Sequence, residues 1–387
     1  MAVVTFSDPD FVRDPYPAIA EHRAEGVVPN IDQGGWWVLD SATIWDMIRD
    51  PKLANDPAAA DPDAPITKIF SQSRLSMFYM DPPDHTRVRG SVKADFGPRR
   101  MDQFVGGIAS TTKDLIAQLP DRGRVDLAAQ FGDPLPMTVM CDFIGVEPER
   151  RAEFARWALI RINGIFDPSQ GGPVWEDATE ALRNYFGERL AGSDDGDPTL
   201  LGRLVGVTEL DEQEKVDLLL IMLGAGIITT ADLIGNTLHA LLTNPAEMEL
   251  LRRQRELVPE AIEETLRYDS PALSVGRILT EDREFFGKLI TAGSWLRIMT
   301  AAVGRDPARN PDPERYQIRR ADREHYAFGG GVHFCLGLHL GKLEARIALE
   351  ALLDRYQSME LAPEPESAVR RGTPGFRGFK KLVVDVA

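Results

Sequence analysis

From Pro83 to about Tyr268, apolar residues recur at three- and four-residue intervals in nearly every segment, the spacing of helices that bury one face. The breaks fall at Pro134 and Pro136, at Gly171-Gly172-Pro173, and in the acidic run from Gly192 to Pro198. Inside this block, Leu218 to Ala231 is an apolar run closed by Asp217 and Asp232. It is shorter than the roughly 20 residues a bilayer crossing needs, so it reads as a buried core helix. Upstream, Pro15 to Arg23 has helical spacing, and Trp36 to Leu39 reads as a short strand after Gly34-Gly35. The stretch from Asp56 to Asp81 is rich in Pro, Ala, Asp and Ser with scattered apolar residues, which predicts a long, partly apolar loop. After Pro271, strand-like pieces at Val275 to Thr280, Phe285 to Ile290 and Leu296 to Met299 lead into a proline-rich irregular stretch and a last helix from about Leu336 to Tyr356. The expected fold is mainly α with small β-sheets. No linker, internal repeat or low-complexity tract divides the 387 residues, so a single domain over 1–387 is expected.

The net charge of −16 argues against general nucleic-acid or anionic-membrane binding. The first residues meet charge at once and lack a basic segment followed by an apolar one, so no signal peptide or membrane anchor is expected and a cytoplasmic location fits. Only Cys141 and Cys335 are present, too few for a disulfide framework. Each therefore needs its own explanation.

Cys141 sits in the apolar stretch Met137 to Ile144 and reads as a buried free thiol. Cys335 follows Phe328-Gly-Gly-Gly-Val-His-Phe and opens a predicted amphipathic helix. Glycines let the backbone turn tightly and approach a flat ligand, and a thiolate at a helix start is stabilised by the amides of Leu336, Gly337 and Leu338. A zinc site from His333, Cys335 and His339 would lack a fourth ligand. The pattern Phe328-x-x-Gly331-x-x-x-Cys335-x-Gly337 resembles the haem-binding signature of cytochromes P450. That resemblance implies the P450 fold, haem b (iron protoporphyrin IX) as cofactor, and Cys335 as the metal ligand, with Phe328 and Gly337 beside it.

Other segments bear on the same resemblance. Glu264 and Arg267 lie three apart on one helical face, which by itself describes a surface salt bridge. The family joins such a pair to a second arginine from the irregular stretch, and Pro313-Glu314-Arg315-Tyr316 is similar to that element, with Tyr316 where phenylalanine is usual. Glu264, Arg267 and Arg315 are then expected to hold the cysteine loop in place. His85 and Arg89, four apart after Asp81-Pro82-Pro83-Asp84, would otherwise be a solvated face. The resemblance instead implies that His85, Arg89, Arg277 and His333 bind the haem propionates.

In the central apolar run, Gly224-Ala225-Gly226 breaks helix propensity, and the Thr229 hydroxyl is within reach of the Ala225 carbonyl one turn earlier. Ala225 to Thr230 resembles the oxygen-activating motif of P450s, with Thr229 at its threonine and Ala225 and Gly226 at the groove. The residue before that threonine is usually an acid; here it is Ile228. Asp232, one turn beyond, is a candidate for the lost carboxylate function, and a plain solvated or capping role is its alternative. Thr229 and water alone, or a peroxide-using or otherwise non-monooxygenating reaction, are further readings, and a haem sensor without turnover is a third class.

By resemblance the pocket is lined by the loop around Ile66 to Phe78, including Phe70 and Phe78, by Leu223, Ala225 and Gly226, by Leu273 to Val275, and by Phe376. This apolar set suits a hydrophobic small molecule. Arg74, Arg161 or Arg377 would be available for a carboxylate. No flavin or nicotinamide domain fits in the chain, so a monooxygenase requires a separate ferredoxin and ferredoxin reductase, for which Arg87, Lys93, Lys342 and Arg346 form a candidate basic patch.

Overall fold

A computed structural model of the chain describes residue 5 and residues 8–30, 34–64, 67, 77–166, 172–194, 196–363 and 367–387. The helical body includes α1 (Asp84–Val92), α2 (Val105–Ala117), α3 (Pro134–Ile144), α4 (Arg151–Phe166), α5 (Pro173–Gly192), α6 (Glu212–Leu242), α7 (Val258–Tyr268) and α8 (Leu338–Arg355), with further helices such as Leu200–Val205 and Pro245–Arg253 between them. The longest, α6, starts at a capping box in which Asp211 and Glu214 satisfy each other's backbone amides. The predicted apolar run is its middle, and α3, α5, α7 and α8 pack around it. By length and composition α6 could cross a membrane, yet 78% of its most apolar window is buried inside the protein, which marks a core helix.

Eleven strands form three small sheets among the described residues. The first sheet orders β1 (Val27–Pro29), β2 (Trp36–Val38), β8 (Trp295–Ile298), β5 (Val275–Leu279) and β3 (Leu53–Ala54). Only β2 and β8 pair in parallel, with Trp37 opposite Arg297; the other pairs are antiparallel. The second joins β4 (Gly123–Asp126), β9 (Met359–Leu361), β10 (Ala368–Arg370) and β11 (Phe379–Val386). The third is a hairpin of β6 (Arg283–Phe285) and β7 (Lys288–Ile290).

That hairpin corrects the single strand expected over Phe285 to Ile290, because Phe286 and Gly287 both take positive φ and reverse the chain. The last helix starts at Leu338 and not at Leu336, leaving Cys335 ahead of it in irregular backbone. The strands after that helix have no counterpart in the sequence reading, although β11 alternates its burial as a half-covered strand should. In the helical core Phe143 is 1% exposed, its ring 4.9 Å from that of Phe96 and 5.2 Å from that of Phe104. Phe143→Ala should lower unfolding free energy by about 3–5 kcal/mol in denaturant titrations.

Candidate functional site

Cys335 is positioned by turns on both sides. Its amide donates to the Phe328 carbonyl at 2.9 Å, closing the loop. Gly329 and Gly331 take φ of +67° and +65°, and side chains at Gly330 or Gly331 would run into Ile48. These glycines therefore serve the turn and its packing on Ile48. At Gly337, by contrast, a Cβ would meet no other protein atom within 4 Å. Burial pushes the Cys335 thiol up, opposed by the Gly337 and Leu338 amides and by Arg89 and Lys342. Cys141 is buried on α3, its thiol pushed up to about 12 by burial, as an inert core cysteine should be.

A buried ion network on α7 holds the irregular stretch that leads to the loop. Glu264 and Arg267 are both wholly buried, joined by two hydrogen bonds of 2.7 and 2.8 Å. The third member is Arg320, whose Nε donates to Glu264 at 3.1 Å. This corrects the expectation for Arg315, whose side chain is exposed and which contributes only its carbonyl, accepting from Arg267 and Arg320. Arg267 also donates to the carbonyls of Gly304 and Pro313, and the Gln317 amide donates to Glu264. Tyr316 donates to the Ala261 carbonyl, a bond that phenylalanine could not make. The neighbouring Glu263 pairs with both His325 and Lys342, which flank the cysteine loop. Burial opposes its ionisation, but those two hydrogen bonds hold its carboxyl down at about 2.

On the sheet side the four predicted propionate-binding groups converge. The His85 and His333 rings are 4.0 Å apart between centroids. Asn55 bridges the set: its Oδ1 accepts from Arg277 at 3.0 Å and its amide nitrogen contacts His333 Nε2 at 2.7 Å. Arg89 donates to the Phe334 carbonyl at 2.5 Å, beside the cysteine. Asp81 faces the cluster, but its carboxylate already accepts the amides of Asn55 and Asp56. Burial and the neighbouring cations hold His333 down to about 3 and lower His85, while burial lowers Arg277 to about 10. His85 is 1% exposed and both ring nitrogens lack a hydrogen-bond partner. A cluster of buried donors left in this state fits an anionic partner.

Across α6, Thr229 Oγ1 donates to the Ala225 carbonyl at 2.6 Å, as its spacing predicts. Ala225 is exposed and Gly226 and Thr229 are half-buried, although both ends of this helix turn are in the core. A side chain at Gly226 would strike Met140 on α3. Ile228 is 6% exposed in the apolar core. Asp232 is fully buried and bonded to Arg371.

The expected pocket is only partly assembled by the described residues. Val275 and Phe376 are half-buried at strand and turn edges, and Phe78 is 53% exposed. Leu223 is not on that surface: it is 0% exposed in the core, because two residues turn it about 200° from Ala225 on the helix. Phe70 and Arg74 lie outside the described residues. Arg377 is bound to buried Asp269, and Arg161 donates to the Leu220 carbonyl. Of the candidate basic patch, Arg87 is paired with Glu214, Lys342 with Glu263 and Arg346 with Glu350. Asn55, Glu263 and Arg320 were not singled out from the sequence, and no motif marks them.

A cytochrome P450 family model matches residues 197–373. Over a 396-position alignment the chain is 34% identical to Cytochrome P450 107B1 of Saccharopolyspora erythraea, covering 97% of this chain and 96% of that protein. This chain belongs to the cytochrome P450 family. The P450 is also 33% identical to the Vitamin D(3) 25-hydroxylase of Pseudonocardia autotrophica, over 97% of this chain and 94% of that one. It superimposes on CYP109E1 from Bacillus megaterium, solved with corticosterone, with a TM-score of 0.85 at 28% identity, covering 97% and 99% of the two chains. As a member, it is a monooxygenase that uses haem b. The residues fit that group: an accessible stripe at Ala225 and Thr229, a loop-held thiol, and four donors matching two carboxylates.

Arg320→Ala strips a buried carboxylate of one partner and should cost about 3–5 kcal/mol in denaturant unfolding, with reduced haem content on purification. Arg315→Ala should stay within about 0.5 kcal/mol of the parent protein.

Proposed function

We propose that this P450, acting as a single domain over residues 1–387, inserts one atom of dioxygen into a hydrophobic small molecule with electrons from a separate ferredoxin and its reductase in the cytoplasm. The observation that carries this reading is the Thr229 hydroxyl bonded to Ala225 on the accessible stripe of an otherwise buried helix. Cys335 would hold the iron, with Phe328 and Gly337 shaping its loop. Arg89, His85, Arg277 and His333 would hold the propionates, and Asn55 would keep Arg277 and His333 in register. When bound, haem b supplies the reductive activation of dioxygen. The protein's part is to fix that group's orientation, to donate a proton through Thr229, and to keep apolar side chains against the substrate.

Val275, Phe376 and Phe78 support a hydrophobic substrate, as do relatives whose names include a vitamin D hydroxylase and a structure holding a steroid. A route for electrons on the cysteine side is supported by Val332 and Phe334, 55% and 41% exposed on the loop that carries Cys335. A peroxide-using enzyme is the second reading, favoured by Ile228 alone.

The reduced, carbon monoxide-bound protein should give the red-shifted Soret band of an intact thiolate ligand, lost in Cys335→Ala. Absence of that band from the parent protein would sink the ligand assignment. Product formed with ferredoxin, its reductase and dioxygen should exceed that formed with peroxide; the reverse order would favour the second reading.

A further inference from the structure

Asp232 is wholly buried on α6, and its Oδ2 has no hydrogen-bond partner. Its Oδ1 accepts from Arg371 Nε at 2.9 Å, and a side chain at Gly378 would collide with it. Arg371 reaches on to Asp133, donating to both oxygens of that carboxylate. Asp133 follows the π-helical turn Ala128–Gly132 and precedes α3, makes no capping bond to that helix, and has a side chain 37% exposed. Arg371 also lines a small open cleft with Phe11, Val12, Leu273 and Phe376. One guanidinium thus spans from an acid in contact with solvent to an acid with none.

The buried acid lies on the stripe that matters. Ala225, Thr229 and Asp232 are four and three residues apart and share one face of α6. Along that face exposure falls from Ala225 through half-buried Thr229 to Asp232 at 0%. Ile228, at the position where the family resemblance calls for an acid, packs in the apolar core and has no proton to give.

We propose that Asp232 is the proton-holding group of this site, positioned by Arg371 and linked to solvent through Asp133. The inference rests on the monooxygenase reading. The O–H bond at Asp232 Oδ2 breaks, and the proton crosses ordered water to a lone pair of Thr229 Oγ1. The threonine's own hydrogen moves on into the pocket. The carboxylate left behind is reprotonated from bulk water on the Asp133 side. No electrons move in these steps. Arginine keeps its charge throughout, so Arg371 holds the two acids in register while water carries the proton. Burial pushes the Asp232 carboxyl up to about 6; Arg371 and Arg370 oppose that rise and Asp133 adds to it. An acid poised near neutrality is suited to releasing and regaining a proton at each cycle.

Infrared difference spectra of the haem-loaded protein across a pH series provide a readout independent of turnover. A protonated-carboxyl C=O band that titrates near neutrality should vanish in Asp232→Asn and persist in Glu344→Gln, the variant at a second buried carboxyl with an unbonded oxygen. In Arg371→Gln the band's midpoint should move to higher pH, because the cation that favours ionisation is gone. A band that survives Asp232→Asn, or that is lost in Glu344→Gln, overturns the proposal. In turnover, Asp232→Asn should lower product formed per electron pair by at least about tenfold, with substrate affinity retained, and Ile228→Glu in the same variant should restore it. Unchanged coupling in Asp232→Asn, or loss without rescue, counts against Asp232. If the parent protein makes no product with dioxygen, the monooxygenase reading fails, and the infrared series still decides whether Asp232 holds the proton.

Discussion

The structure around the thiol depends on a carboxylate that has been taken entirely out of water. Glu264 is stable in its buried position only because Arg267, Arg320 and the Gln317 amide supply its hydrogen bonds. A charge at that depth costs several kcal/mol without such partners, so the network tolerates little displacement. Its donors come from α7 and from the irregular stretch after Gly304, whose carbonyls at Gly304, Pro313 and Arg315 are occupied by Arg267. Chain with no regular ladder of its own is thereby given fixed coordinates. Glu263, one residue earlier, extends the hold to His325 and Lys342 on either side of the cysteine loop. Two adjacent acids on one helix thus anchor the stretch that delivers Cys335.

The sheet side poses the opposite electrostatic problem. Arg89, Arg277, His85 and His333 are gathered with more donors than acceptors, and burial together with the neighbouring cations lowers the basicity of both histidines. Asn55 relieves part of the strain by accepting from Arg277 while contacting His333. The remaining imbalance, most visible in the unbonded nitrogens of His85, is what a dianionic cofactor edge would correct. Rigidity beneath the thiol and unsatisfied polarity at the rim are complementary: the first would fix where a flat group is held, the second which way it faces.

Between them, α6 combines a continuous apolar core with a local accessible stripe at Ala225 and Thr229. The Met140 methyl lies where a side chain at Gly226 would start, and Thr229 donates its hydroxyl to the Ala225 carbonyl. Beyond this stripe the helix buries Asp232 against Arg371, which pairs with one of its oxygens, and burial raises its carboxyl to about 6.

The features legible in the sequence by itself were those whose geometry is local. The spacing from Phe328 to Cys335, the i,i+3 step from Glu264 to Arg267, the i,i+4 steps from His85 to Arg89 and from Ala225 to Thr229, and the helical periodicity of the body each follow from the repeat of a single element. Tertiary structure alone decided that Arg320 and not Arg315 completes the buried network, because irregular backbone has no period from which side-chain direction can be read. It also decided that Leu223 faces the core, that Asn55 joins two distant cations, and that Asp232 is tied to Asp133 through Arg371. Those outcomes depend on which segments meet across the fold, and a buried polar group takes whichever partner the packing of other segments brings within hydrogen-bond reach.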